Sequence, residues 1–185
     1  WHMKGAQHVY GVSSDLCTFG KAMANGYAVA CVAGKREIME LGSIEFEGRE
    51  RMFLLSTTHG AEMCGLGAFV ATVKFMQKHS VVEHLWDYGN KLTTMMQRKA
   101  EEQGIGENFK VGGIACSPYY QTLDSSGENS LGLRTLFSQE MIKNGVFMPW
   151  IALSYRHGEE ELVITERALD ATFSVYRKAL DEGIG

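Results

Sequence analysis

The stretch Thr18-Phe19-Gly20-Lys21-Ala22-Met23-Ala24-Asn25-Gly26-Tyr27 decides how the chain is read. One lysine stands among glycine and small residues, directly after Asp15-Leu16-Cys17-Thr18-Phe19. That run predicts a short strand, with Gly20-Lys21 as the turn that leaves it. Asn25-Gly26 is a turn dipeptide. On spacing alone two readings stand side by side: a surface lysine in a Gly-Lys turn, and an amine held among small residues for chemistry. A P-loop is excluded, because G-x-x-x-x-G-K-[ST] is absent and Ala22 follows Lys21.

Working outward, residues 1–14 carry little periodicity and predict a loop with a short helical turn. Ala28-Val29-Ala30-Cys31-Val32-Ala33 is almost wholly apolar, which predicts a strand buried on both faces of a mostly parallel sheet. Lys35 to Leu41 fits a short helix, and Gly42 to Glu50 a loop. Arg51 to Ser56 predicts the next strand, running into Thr57-Thr58-His59-Gly60. A strand-to-helix junction of that kind offers hydroxyls and backbone N–H groups to an anion. Taken alone, Thr57 and Thr58 are equally turn or cap residues, and His59 is a hydrogen-bonded structural histidine or a proton shuttle. Glu62 to Gln77 predicts a helix with one small side made of Cys64, Gly65, Gly67, Ala68 and Ala71.

Residues 83–103 predict an amphipathic helix ended by Gly104. Lys110–Cys116 and Tyr119–Leu123 predict strands separated by Ser117-Pro118. Ser130 caps a helix over 131–143 with Asn144-Gly145 as its stop. Ile151–Arg156 and Glu161–Ile164 predict two short strands around a turn at His157-Gly158. Thr165 then caps a final helix whose stripe is Leu169, Phe173, Tyr176 and Leu180. The character of the chain changes near residue 80. The expectation is that residues 1–80 end a large α/β domain and residues 81–185 form a smaller C-terminal α/β domain.

Composition narrows the function. With 45% hydrophobic and 22% charged residues, the 185-residue chain is of globular type. A net charge of −4 argues against nucleic acid as the main partner. No apolar run reaches the roughly 18 residues of a membrane helix. Cys17, Cys31, Cys64 and Cys116 lack paired spacing, which predicts reduced thiols in a cytoplasmic protein and no zinc or other metal site.

A lysine amine in a crowded turn at a strand end suits pyridoxal-phosphate chemistry. The amine forms an imine with the cofactor aldehyde, then moves protons at the substrate carbon once substrate displaces it. Thr18 to Gly26 resembles the lysine motif of class III (subgroup II) aminotransferases. The order continues as in that family, with Val29 to Gly34, then Arg36-Glu37-Ile38-Met39, and Ser56-Thr57-Thr58-His59-Gly60 ahead of a small-residue helix. Gly145-Val146-Phe147-Met148-Pro149 and Leu153-Ser154-Tyr155-Arg156-His157 are similar to its closing strands. Within the family the likeness is to the glutamate-1-semialdehyde 2,1-aminomutase branch and its aminotransferase relatives.

The resemblance implies an α/β fold, the latter part of a fold-type I large domain plus a small domain. It implies PLP-dependent amino-group transfer with Lys21 as the Schiff-base lysine. It also implies a homodimer in which Thr57 or Thr58 binds the phosphate of the cofactor held by the neighbouring subunit. Thr57 is favoured, lying three residues before Gly60. Two departures stand out: Ala61-Glu62 replaces the family's Asn-Pro, and Ser56 its first glycine. A relative that aminates another aldehyde or keto compound therefore fits as well as an aminomutase. Another fold-type I reaction, or an inactive relative acting by association, are the alternatives. The family's pyridine-pairing aspartate precedes the equivalent of Trp1. The chain is thus expected to be a C-terminal fragment that binds the cofactor weakly or not at all.

Overall fold

Helices and antiparallel strand pairs alternate along the chain. The computed structural model describes residues 1–43, 45, 48, 60 and 62–183. The strand expected over 51–56 and the junction residues Thr57, Thr58 and His59 lie outside the described residues. The chain divides into two compact units, His2–Val81 and Val82–Gly185, the latter with Trp1.

In the first unit a helical turn, α1 (Ala6–Val9), leads to β1 (Leu16–Phe19). A single 3-10 turn over Lys21–Met23 follows, then β2 (Cys31–Gly34), α2 (Arg36–Met39) and the 16-residue α3 (Met63–Lys78). β2 pairs antiparallel with β1, in register Leu16↔Gly34 to Phe19↔Cys31. This corrects the parallel-sheet expectation for the run over 28–33. A parallel return needs a crossover of about a dozen residues or more, usually a helix. Here residues 20–30 supply only a 3-10 turn. Val32 is 49% exposed, so the apolar character of the run does not bury it among the described residues. Lys35 closes the open end of the hairpin: its N–H donates to the Asp15 carbonyl at 2.9 Å, and its Nζ lies 2.5 Å from Asp15 Oδ1.

The second unit holds the large core. α4 (Val81–Glu102) buries Tyr88, Leu92, Met96 and Ala100, one stripe at three- and four-residue steps. The hairpin of β3 (Phe109–Ile114) and β4 (Ser117–Thr122) adds Phe109 and Tyr120. α5 (Leu131–Lys143) adds Leu133, Phe137 and Met141, and the Ser130 hydroxyl caps it by accepting from the Leu133 N–H at 3.2 Å. α6 (Glu159–Glu182) adds Leu162, Leu169, Phe173 and Tyr176. Phe109 is the hub, stacked on Tyr120 at 5.5 Å and edge-on to Phe173 at 4.8 Å. Each fully buried aromatic of this kind contributes about 1.5–3 kcal/mol.

Two expectations fail here. Ser117-Pro118 does not separate the strands. Ile114 pairs with Ser117, so the turn is Ala115-Cys116, and Pro118 sits near the start of a strand at a sheet edge, where a missing N–H does least harm. Residues 151–156 form no strand, and Glu161–Ile164 lies inside α6, which starts six residues before Thr165. The Gly158 N–H donates to Glu161 Oε2 at 2.7 Å, and Glu159, Glu160 and Glu161 fill the first turn, where the positive end of the helix dipole favours carboxylates. Thr165 is 6% exposed in the second turn and faces the core. Side chains serve the backbone over 148–157. The Tyr120 hydroxyl lies 3.0 Å from the Met148 and Pro149 carbonyls, and His84 Nε2 lies 2.9 Å from the His157 carbonyl.

Candidate functional site

The lysine turn between β1 and β2 departs from regular backbone, as Ser80 after α3 also does. Gly20 is extended, and Lys21 then takes φ +48°. Asn25 takes φ +46° four residues later. A left-handed conformation costs an L-residue about 1–2 kcal/mol, and asparagine tolerates it far better than lysine. Backbone bonds inside the turn are long: Met23 N–H to Gly20 O at 3.2 Å, Ala24 N–H to Lys21 O at 3.4 Å, and Tyr27 N–H to Ala24 O at 3.3 Å. Strain of this sort at a single lysine points to a functional constraint.

The Lys21 side chain is exposed, and its ammonium has no hydrogen-bond or ion-pair partner among the described residues. Lys35, on the same hairpin, is held by Asp15. Lys21 borders a shallow depression with Ala22, Asn25, Gly26, Tyr27 and Ala28. Beneath the turn, Ala24 is 1% exposed; it and Val81 are the buried apolar residues of this unit among the described ones. α3 meets the far end of the turn at Gly65, where an added Cβ would lie 2.9 Å from the Ala28 carbonyl oxygen.

An amine with no partner among the described residues, at a strand end and with only small residues on either side, fits a cofactor that is held through an aldehyde. Thr57 and Thr58, the expected phosphate ligands, and His59 lie outside the described residues. Sequence reasoning passed over Tyr27, which is 59% exposed at the depression. Among the described residues no group of three His, Cys, Asp or Glu side chains is placed to hold a metal. The four cysteines are free thiols. No described helix is long and apolar enough to cross a membrane.

Electrostatics elsewhere are structural. Burial pushes the Tyr88 hydroxyl up to about 12, with the Glu161 and Glu159 carboxylates adding to it. The Glu166 carboxylate is held low by hydrogen bonds from Arg98 and Lys99, which tie α4 to α6.

Residues 4–174 match the family model of the class-III aminotransferases. The chain is 32% identical over 179 residues to a 3-aminobutyryl-CoA aminotransferase of Cloacimonas acidaminovorans (strain Evry), covering 95% of this chain and 41% of the relative. It is 29% identical over 180 residues to a glutamate-1-semialdehyde 2,1-aminomutase of Archaeoglobus fulgidus, covering 90% of this chain and again 41% of the relative. Among solved structures, a transaminase with PLP bound superposes with TM-score 0.78 at 20% identity, over 96% of this chain and 42% of that one. The PLP internal aldimine form of the FumI protein of Sphingopyxis sp. MTA144 superposes with TM-score 0.79 at 19% identity, over 97% and 41%. The fold is therefore that of the fold-type I transaminases, and the chain spans about two fifths of the length of these relatives. The chain belongs to the class-III aminotransferases.

Proposed function

We propose that the protein transfers amino groups with pyridoxal 5'-phosphate, and that Lys21 is the lysine to which the cofactor is linked. The observation that carries this is Lys21 itself: strained at φ +48°, without a side-chain partner among the described residues, and at the turn between β1 and β2 in a chain of the class-III family. When bound, the cofactor supplies an electron sink for the electrons released at the substrate carbon. Lys21 holds the cofactor through its amine in the resting protein. Once freed by substrate, the same amine takes the proton from the substrate carbon and returns one. The small residues Gly20 and Ala22 leave the space that this exchange needs.

The remaining assignments belong to the same proposal. Residues 1–80 are the end of the cofactor-binding domain, and residues 81–185 are the small domain. The protein works as a homodimer, with Thr57 the favoured ligand, over Thr58, for the phosphate of the partner's cofactor. Substrates are small amino compounds and the aldehydes or keto compounds that accept the amino group. The relatives include both a mutase and an aminotransferase, so both reaction types are retained. Free thiols at all four cysteines support a cytoplasmic location.

The test is reduction with borohydride after loading the intact protein with pyridoxal phosphate, followed by peptide mapping. The expected result is one stable adduct at Lys21, absent in Lys21→Ala. An adduct elsewhere, or none, overturns the assignment. Product analysis with glutamate semialdehyde against a panel of keto acids then separates the mutase from the aminotransferase.

A further inference from the structure

The lysine turn is held from outside. Two of its residues, Lys21 and Asn25, occupy left-handed backbone, and its internal hydrogen bonds are 3.2–3.4 Å long. Neither feature favours one fixed position for the lysine. What fixes the segment is its seat on α3. The 3-10 turn over Lys21–Met23 lies against α3, Ala24 directly after it is 1% exposed, and the Ala28 carbonyl lies against the bare Cα of Gly65. A Cβ at residue 65 would sit 2.9 Å from the Ala28 oxygen, 3.6 Å from its carbonyl carbon and 3.5 Å from Val29 Cβ. The nearest of these atoms is backbone, so it yields only if the chain moves. Two residues further along the same helix, a Cβ at Gly67 would meet nothing within 4 Å. The two glycines are thus chemically alike and differ in what they face.

We infer that Gly65 is a positioning residue for Lys21: by lacking a side chain where α3 meets Ala28, it sets the height at which the lysine turn rests, and with it the reach of the Lys21 amine. The inference rests on Lys21 being the cofactor lysine. A methyl group at residue 65 drives the Ala28 carbonyl outward by several tenths of an ångström. The segment between that carbonyl and Lys21 is short, and the turn that carries the lysine rests on the same helix, so the displacement reaches the lysine. Shifts on the ångström scale at a reacting group cost about tenfold to a hundredfold in rate.

The experiment compares Gly65→Ala, Gly67→Ala and Ala24→Gly with the parent, all as intact protein stripped of cofactor. Pyridoxal phosphate is added, and the rate of borohydride-fixable attachment at Lys21 is followed by mass spectrometry. The pH midpoint of the bound cofactor's absorbance is read in parallel with the melting temperature. Gly65→Ala is expected to slow attachment about tenfold or more and to move the pH midpoint, while Gly67→Ala keeps the parent's rate and midpoint. The inference is overturned if Gly65→Ala melts lower yet keeps both, since that is a merely structural effect. It is also overturned if Gly67→Ala matches Gly65→Ala. Should Gly65→Ala fail to fold, Ala24→Gly decides: it removes the buried anchor without adding a clash, and a rate equal to the parent's refutes the seat on α3. Lys21→Ala separates this inference from its premise, because attachment undiminished in that variant refutes the lysine assignment itself.

Discussion

Gly89 of α4 lies so close to Ala115, in the β3–β4 turn, that a Cβ at residue 89 would sit 1.8 Å from the Ala115 carbonyl oxygen and 2.6 Å from its carbonyl carbon. Helix and hairpin can share that space only because residue 89 has no side chain. Alanine is the better helix former by about 1 kcal/mol, yet here it forces the two elements apart. Gly89→Ala is expected to destabilise the fold by about 3 kcal/mol. Urea unfolding measures this, and a variant as stable as the parent shows the contact to be looser than described.

The start of α6 carries a pH dependence. Glu161 accepts from the Gly158 N–H, and that bond holds its carboxyl below the ordinary value of 4.5. A group whose folded pKa is depressed stabilises the fold above its ordinary value and stops doing so as pH falls through the lower folded one. The parent therefore loses melting temperature below pH 4.5 in part through Glu161. Glu161→Gln is expected to melt lower at neutral pH and to lose less on acidification. Melting curves taken from about pH 7 down to about pH 3 test it, and parallel curves for the two proteins rule the mechanism out.

Tyr120 supports the irregular segment after α5. Its ring packs on Phe109 and Phe137, and its hydroxyl serves the Met148 and Pro149 carbonyls at 3.0 Å. Tyr120→Phe keeps the packing and removes only the hydroxyl. A loss of about 1 kcal/mol is expected, with faster amide hydrogen exchange over 148–153. Unchanged exchange there means that the ring alone holds the segment.

Elements with their own punctuation were legible in the sequence. Ser130 and Asn144-Gly145 bracket α5 because a hydroxyl cap and a left-handed glycine act within one turn of themselves. The stripe Leu169, Phe173, Tyr176 reads as a helix because its period repeats over several turns. The start of α6 was missed because its cap is Gly158, which carries no side-chain signal, while Ile151–Arg156 is too short for its period to separate strand from coil. The burial of 28–33 was misjudged because an apolar run records what could be covered and says nothing of what covers it. Lys21 was legible as a candidate from its neighbours. Its positive φ and its seat on Gly65 were not, since both depend on α3, some forty residues away in the chain.

The three tryptophans, Trp1, Trp86 and Trp150, all fall in the unit that contains α4 to α6, where the Trp86 indole N–H donates to the Trp1 carbonyl at 2.8 Å. Tryptophan fluorescence is therefore a reporter for that unit alone and is blind to the lysine turn. An unfolding curve followed by this emission can look complete and two-state while the hairpin and α3 have already melted or have yet to melt. Far-ultraviolet circular dichroism sees both units, and the gap between the two signals measures how independently the lysine-bearing unit unfolds.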